Sequence, residues 1–223
     1  MLSDGTTRAV SAAWSSDTPA VATVSQSGIA TAVAAGETNI AADANGRQGT
    51  LRIRIYPNFN GTWRGAESFN SCDDTGAFEG LCNDPDVYTQ GGQFLHDSRY
   101  AQTGATVNMT VDLGDGTLAS GPGVVTVPGE LQMSSARAVP EDPNIKIDIL
   151  DVRFRSDVAA RLTGTYRARF SAPGVEGSVV IGIRLESVTR TAATASASQR
   201  RHNGDSGAVA SRRDALRRRM VAR

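Results

Sequence analysis

The sequence predicts an all-β protein: a small β-sandwich, then an antiparallel eight-stranded meander that closes as an up-and-down barrel. Three observations carry this expectation. Helical periodicity is nearly absent along the 223 residues. Short alternating runs recur instead, as in Leu51-Arg-Ile-Arg-Ile-Tyr56, where Leu51, Ile53 and Ile55 share one face and Arg52 and Arg54 the other. Between the runs stand Gly, Asn, Asp and Pro, in connections mostly short enough to be hairpin turns.

The first series comprises Val21-Ala-Thr-Val24, Gly28-Ile-Ala-Thr-Ala-Val33, Thr38-Asn-Ile-Ala-Ala42 and the Leu51–Tyr56 run. Pro57-Asn-Phe-Asn-Gly61 breaks it, which sets a first domain at 1–56, a linker at 57–60 and a second domain at 61–190. The second series reads as eight strands, at about 61–69, 92–102, 105–113, 121–127, 130–138, 145–155, 161–171 and 176–188. Turn chemistry at Thr103-Gly104, Gly114-Asp-Gly116, Pro128-Gly129 and Pro173-Gly174 joins neighbours without helices between them. Eight meandering strands most simply close on themselves, which removes exposed edges; an open sandwich of the same strands is the alternative. Ile145, Ile147 and Ile149 alternate with Lys146 and Asp148, after which Val152 and Phe154 fall in the opposite phase. That shift predicts a bulge near Leu150-Asp151.

The formal net charge of zero is a cancellation. Residues 191–223 hold eight Arg against Asp205 and Asp214, a net of +6, and the preceding residues carry −6. The small, polar composition of that segment predicts a disordered basic tail that cannot bury enough surface to fold. With no aromatic residues for base stacking, the tail is expected to bind no specific nucleic acid. No apolar run approaches the roughly 18 residues that span a bilayer, so no transmembrane segment is expected.

Residues 12–56 resemble a group 2 bacterial immunoglobulin-like domain. The matching text is Trp14-Ser-Ser-Asp17, Pro19-Ala-Val-Ala-Thr-Val-Ser25, Gly28-Ile-Ala-Thr-Ala-Val-Ala-Ala-Gly36 and Thr38-Asn-Ile-Ala-Ala42. The resemblance implies a small sandwich with Trp14, Val21, Val24, Ile29, Val33, Ile40 and the Leu51/Ile53/Ile55 stripe facing inward. Such domains usually begin with further strands ahead of the stretch that matches Leu2-Ser-Asp-Gly-Thr-Thr7. The expectation is therefore an N-terminally incomplete domain, with the missing strand and an export signal upstream. The family occurs on surface adhesins and other exported proteins, which implies an extracellular or cell-envelope location and a surface protein or glycan as partner.

Residues 61–190 resemble calycin-type barrels, the lipocalin and avidin group, through Gly61-Thr-Trp63 at the start of the first strand. There the Trp plugs the barrel floor and a basic residue of the last strand covers it, a place that Arg184 or Arg190 could fill here. An ordinary buried Trp at the start of a strand is the plainer reading. If the resemblance holds, the interior suits a small apolar ligand.

Cys72 and Cys82 are the only cysteines, ten positions apart in an Asp/Gly-rich loop. In an exported domain they form a disulfide; in a cytosolic one they are two free thiols. The same region holds Asp73, Asp74, Glu79, Asp84 and Asp86, weak calcium candidates whose spacing does not match an EF-hand loop; a solvated acidic loop is the stronger reading. His96 is the one histidine before the tail. In Phe94-Leu-His-Asp-Ser98 adjacent strand residues point to opposite faces, so His96, Asp97 and Ser98 cannot form a nucleophilic triad among themselves. No catalytic motif appears, and no enzyme activity, cofactor or metal is expected. The resulting expectation is a non-enzymatic exported or cell-surface protein, an immunoglobulin-like spacer or adhesion module carrying a β-barrel interaction domain. A small-ligand carrier and an accessory carbohydrate-binding module of a larger enzyme are the alternatives.

Overall fold

The computed structural model describes residues 11–112, 118–127, 129–138, 144–157 and 160–191. The predicted basic tail beyond Thr191, the Leu2–Thr7 stretch and the Gly114–Gly116 turn lie outside the described residues. The chain divides into two compact units that part between Pro57 and Asn58.

The first unit holds two small sheets. Strands β1 (Ala13–Ser16), β4 (Gly36–Ala44) and β5 (Arg47–Ile55) form one, in the order β1-β4-β5, and β2 (Ala22–Val24) pairs with β3 (Ala30–Ala32) in the other. Asn45 and Gly46 both have positive φ, 55° and 77°, the combination of a type I′ hairpin turn, and this fixes the β4–β5 register. Between β2 and β3, a Cβ on Gly28 would lie 2.7 Å from the Trp14 ring, so only glycine lets the turn pass beneath that indole. Thr38, 4% exposed, accepts a hydrogen bond from the Thr18 amide at 2.9 Å and ties the strands internally.

The inward-facing set expected for this unit is only partly realised. Among the described residues, Ala22 and Ile40 are its buried apolar side chains, and Trp14, Val21, Val24, Ile53 and Ile55 are half-buried. Ile29, Val33 and Leu51 are 66%, 56% and 65% exposed, against expectation. The cause is geometric. Strands of three residues run about 10 Å, whereas β4 and β5 with nine residues each run about 30 Å, so the small sheet cannot cover the larger one. Alternation in β5 is as read: Arg52 and Arg54 both pair with Glu37 on the other face.

The second unit is a closed antiparallel barrel of eight strands. Its members are β6 (Gly61–Gly76), β7 (Gln93–Thr103), β8 (Thr106–Asp112), β9 (Leu118–Val125), β10 (Glu130–Ala138), β11 (Lys146–Ser156), β12 (Arg161–Ser171) and β13 (Gly177–Arg190). Each pairs with its neighbours in sequence, and β13 returns to β6, so the meander leaves no edge. Period-2 burial lines the interior, for instance Val107, Met109 and Val111 on β8 and Ile147 and Ile149 on β11. The predicted bulge is present. Asp151 has φ 52° and the β11–β12 register shifts between Leu150 and Arg153, which returns Val152 and Phe154 to the inside.

Closure bends the ladder at points where only glycine fits. A methyl group at Gly65 would overlap the Ser187 carbonyl oxygen, beside the register shift of β6–β13 between Leu185 and Thr189. One expectation about the strands needs correction. The first barrel strand does not end near residue 69 but continues to Gly76, paired to Gly177–Gly182, so Cys72 lies on β6 rather than in a loop.

Candidate functional site

The start of β6 and the end of β13 are neighbours, with Trp63 opposite Arg190 in the ladder. Trp63 is fully buried, and its indole N–H donates to the Phe59 carbonyl at 2.8 Å. The Arg190 guanidinium lies over the Trp63 ring, 4.7 Å from its centroid, and Arg190 Nη2 donates to the Asn58 carbonyl. Tyr100 meets Trp63 edge-on with ring centroids 6.5 Å apart and lies 6.2 Å from the Phe59 ring. The lead-in is pinned across this end of the barrel: the Phe59 amide donates to Gln102 Oε1 and the Gln102 amide to Asn60 Oδ1, each at 2.7 Å. One end of the barrel is thus plugged by an aromatic cluster under a cation. Of the two arginines considered for this place, Arg190 fills it. Arg184 faces outward and pairs with Glu186 at 3.0 Å.

Above the plug runs a row of buried polar side chains. On β7, His96, Ser98 and Tyr100 alternate inward at 1%, 2% and 2% exposure, and Glu67 on β6 is 3% exposed. Glu67 Oε2 lies 2.9 Å from His96 Nδ1, His96 Nε2 lies 2.7 Å from Ser98 Oγ, and the Tyr166 hydroxyl of β12 donates to Glu67 Oε1 at 2.9 Å. A carboxylate only accepts, so the imidazole proton belongs on Nδ1. Nε2 and the Ser98 hydroxyl share the ring's other hydrogen bond. Phe154 closes one side, edge-on to both His96 and Tyr166.

Tyr100 ends the row differently. Its hydroxyl is buried beside that of Ser98. Burial pushes its pKa far above the ordinary tyrosine value; a hydrogen bond with the Ser98 hydroxyl opposes that rise, and the Glu67 charge adds to it. Burial also raises Tyr166, with Glu67 again adding. Both phenols therefore stay protonated donors.

The sequence reading found His96 but not its setting. His96 and Ser98 do share a face, being two apart on a strand, whereas Asp97 points out and pairs with Arg64 at 2.7 Å. Glu67 and Tyr166 were missed. Glu67 stands four residues after Trp63 on the same face of β6, a signal that strand period offers; Tyr166 is 99 residues away and meets Glu67 only through closure.

Cys72 and Cys82 form a disulfide, with Cα atoms 5.7 Å apart. It joins β6 to a short 3-10 turn, Leu81–Asn83, in the connection to β7. That connection is not simply a solvated loop, since Phe78, Leu81 and Val87 are buried in it. Its acidic residues do not assemble a cation site: among the described residues no group of three or more His, Cys, Asp or Glu side chains is placed to hold a metal ion. Asp73 and Asp74 lie on β6; the Asp74 carboxylate accepts from the Cys82 amide at 2.7 Å, and Asp84 accepts from the Asp86 amide at 3.0 Å. Glu79 is exposed. The cluster in sequence is spread along one strand and a turn.

On the outer wall Asp148 is ringed by Arg169 at 3.0 Å, Lys146 at 3.3 Å and Arg137 at 3.7 Å. Burial would raise its pKa, but the hydrogen bonds and charges of Arg169 and Lys146 outweigh it and hold the carboxyl below its usual value.

Among the described residues no helix is long and apolar enough to cross a membrane. No family model, curated protein or solved structure matches the chain.

Proposed function

We propose that this is a non-enzymatic exported or cell-surface bacterial protein. An immunoglobulin-like module serves as spacer or adhesion unit, and a calycin-like barrel does the binding, taking a small apolar ligand inside. The observation that carries the reading is the plugged end. A G-x-W tryptophan at the head of the first strand, covered by an arginine at the end of the last, is the arrangement that the calycin resemblance implies, and Trp63 and Arg190 stand in it. The disulfide supports an oxidising location. The half-buried face of the small unit favours a module that works beside further polypeptide rather than alone.

Glu67, His96 and Ser98 follow the order of a nucleophilic triad, yet their placement supports binding rather than acyl transfer. Ser98 sits mid-strand, paired to Trp63 on one side and Val111 on the other, so the neighbouring amides belong to the ladder and offer no oxyanion hole. A carbohydrate-binding surface would need exposed aromatics on one face. Trp63, Tyr100 and Tyr166 are buried instead, which disfavours that alternative.

Titrating the full chain with the neutral fluorophore N-phenyl-1-naphthylamine tests the reading. Saturation at one site per chain is expected. A weak, non-saturating signal would leave the barrel a solid scaffold that docks partners on its outside.

A further inference from the structure

We propose that the outer edge of β5 docks an extended polypeptide in which apolar and acidic residues alternate, added to the small sheet as a further strand. This names the partner of the small unit and does not depend on what the barrel binds. Among the described residues β5 pairs with β4 alone, so it stands at the edge of the β1-β4-β5 sheet. The hairpin turn at Asn45-Gly46 fixes which main-chain groups are free there. A two-residue hairpin makes Ala44 and Arg47 a hydrogen-bonded pair, and along an antiparallel ladder such pairs alternate with unbonded ones. Gln48, Thr50, Arg52 and Arg54 therefore direct their N–H and C=O groups away from β4. They form a row of donors and acceptors that another strand can complete.

The side chains decide which strand fits. On one face of β5, Leu51 is 65% exposed beside half-buried Ile53 and Ile55, an apolar stripe that lacks a full cover. On the other face Arg52 and Arg54 share a single carboxylate, Glu37, and both side chains stay more than half exposed. The strand itself carries three arginines and no acidic residue. A second copy of this chain fits badly: antiparallel registers of two β5 strands that match Ile53 with Leu51, Ile55 or itself set arginine opposite arginine. A strand with acidic residues at alternate positions meets Arg52 and Arg54 with opposite charge, while its apolar residues extend the Leu51/Ile53/Ile55 stripe. The arginines that guard the edge against self-pairing thus select the partner.

The test is fluorescence anisotropy of labelled, capped peptides as long as β5, added to the full chain at low salt: valine alternating with glutamate, with glutamine or with lysine. The glutamate peptide should bind about 5- to 10-fold tighter than the glutamine peptide, the worth of two cross-strand charge pairs, and the lysine peptide should be the weakest. Arg52→Gln combined with Arg54→Gln should bring the three affinities together. Thr50→Pro removes one outward N–H without taking a bond from β4, and should weaken the glutamate and glutamine peptides alike by about tenfold. An unchanged denaturant midpoint for each variant separates these effects from unfolding. In the wild type, hydrogen exchange should show the glutamate peptide protecting the Thr50 and Arg52 amides. Equal affinities of the three peptides for the wild type, or protection confined to other strands, would overturn the proposal. So would a Thr50→Pro variant that binds the glutamate peptide undiminished, or a wild-type dimer in sedimentation that Thr50→Pro abolishes, since the edge would then belong to a second copy. None of these results bears on whether the barrel takes up the fluorophore.

Discussion

The two units are woven from the same kind of strand, yet they solve burial in different ways. In the first, nine-residue strands β4 and β5 lie against little more than a hairpin of three-residue strands, and large apolar side chains such as Ile29, Val33 and Leu51 stay in solvent. In the second, eight strands close on themselves and alternate side chains need no second layer, because the barrel is its own opposite wall. The barrel also sequesters ionisable side chains, with Glu67 and His96 buried inside it. The difference teaches that strand alternation states which residues share a face, while the partner layer decides whether that face is a core.

Substitutions should expose the contrast most sharply where burial is greatest. Trp63→Ala removes the plug and should cost about 3–5 kcal/mol in denaturant unfolding of the barrel. Reducing the Cys72–Cys82 bond should cost less, about 2–3 kcal/mol by the entropy of a loop of this length, read as a lower midpoint with reductant present. Asp148→Asn should cost about 1–2 kcal/mol at neutral pH, since it removes charge-assisted hydrogen bonds at the barrel wall. That effect has a definite pH dependence. The folded pKa of Asp148 is depressed, so its contribution is present above the unfolded value of about 4 and is lost as pH falls through the lower folded value. Unfolding curves should show wild type and Asp148→Asn converging in acid. The smallest effect belongs to the first unit: Ile29→Ala should change stability by less than about 0.5 kcal/mol. A loss there comparable to that of Trp63→Ala would break the comparison.

Much of the barrel was legible in advance, and for physical reasons. Its strands carry clean period-2 burial, its turns carry Gly and Pro, and the phase change between Ile149 and Val152 located a real bulge at Asp151. The plug was legible because it joins a sequence motif at one end to a basic residue at the other. The polar row was only half legible. His96, Ser98 and Tyr100 lie on one strand face, where alternation places them together, and Glu67 lies on the adjoining strand β6, but Tyr166 comes from β12, which reaches Glu67 only when the barrel closes. The core of the first unit was misread for the opposite reason. Period and motif marked Ile29, Val33 and Leu51 as inward, and no local signal states how much sheet stands opposite.

Hydrogen exchange on the full chain, with and without saturating N-phenyl-1-naphthylamine, tests most directly the claim that binding resides in the barrel interior. The account predicts that the slowest amides lie in the barrel, and that the fluorophore adds protection on β6, β7 and β12, the strands that carry Glu67, Ser98 and Tyr166, while β4 and β5 exchange unchanged. Added protection confined to β4 and β5, with the barrel indifferent to the fluorophore, would contradict it.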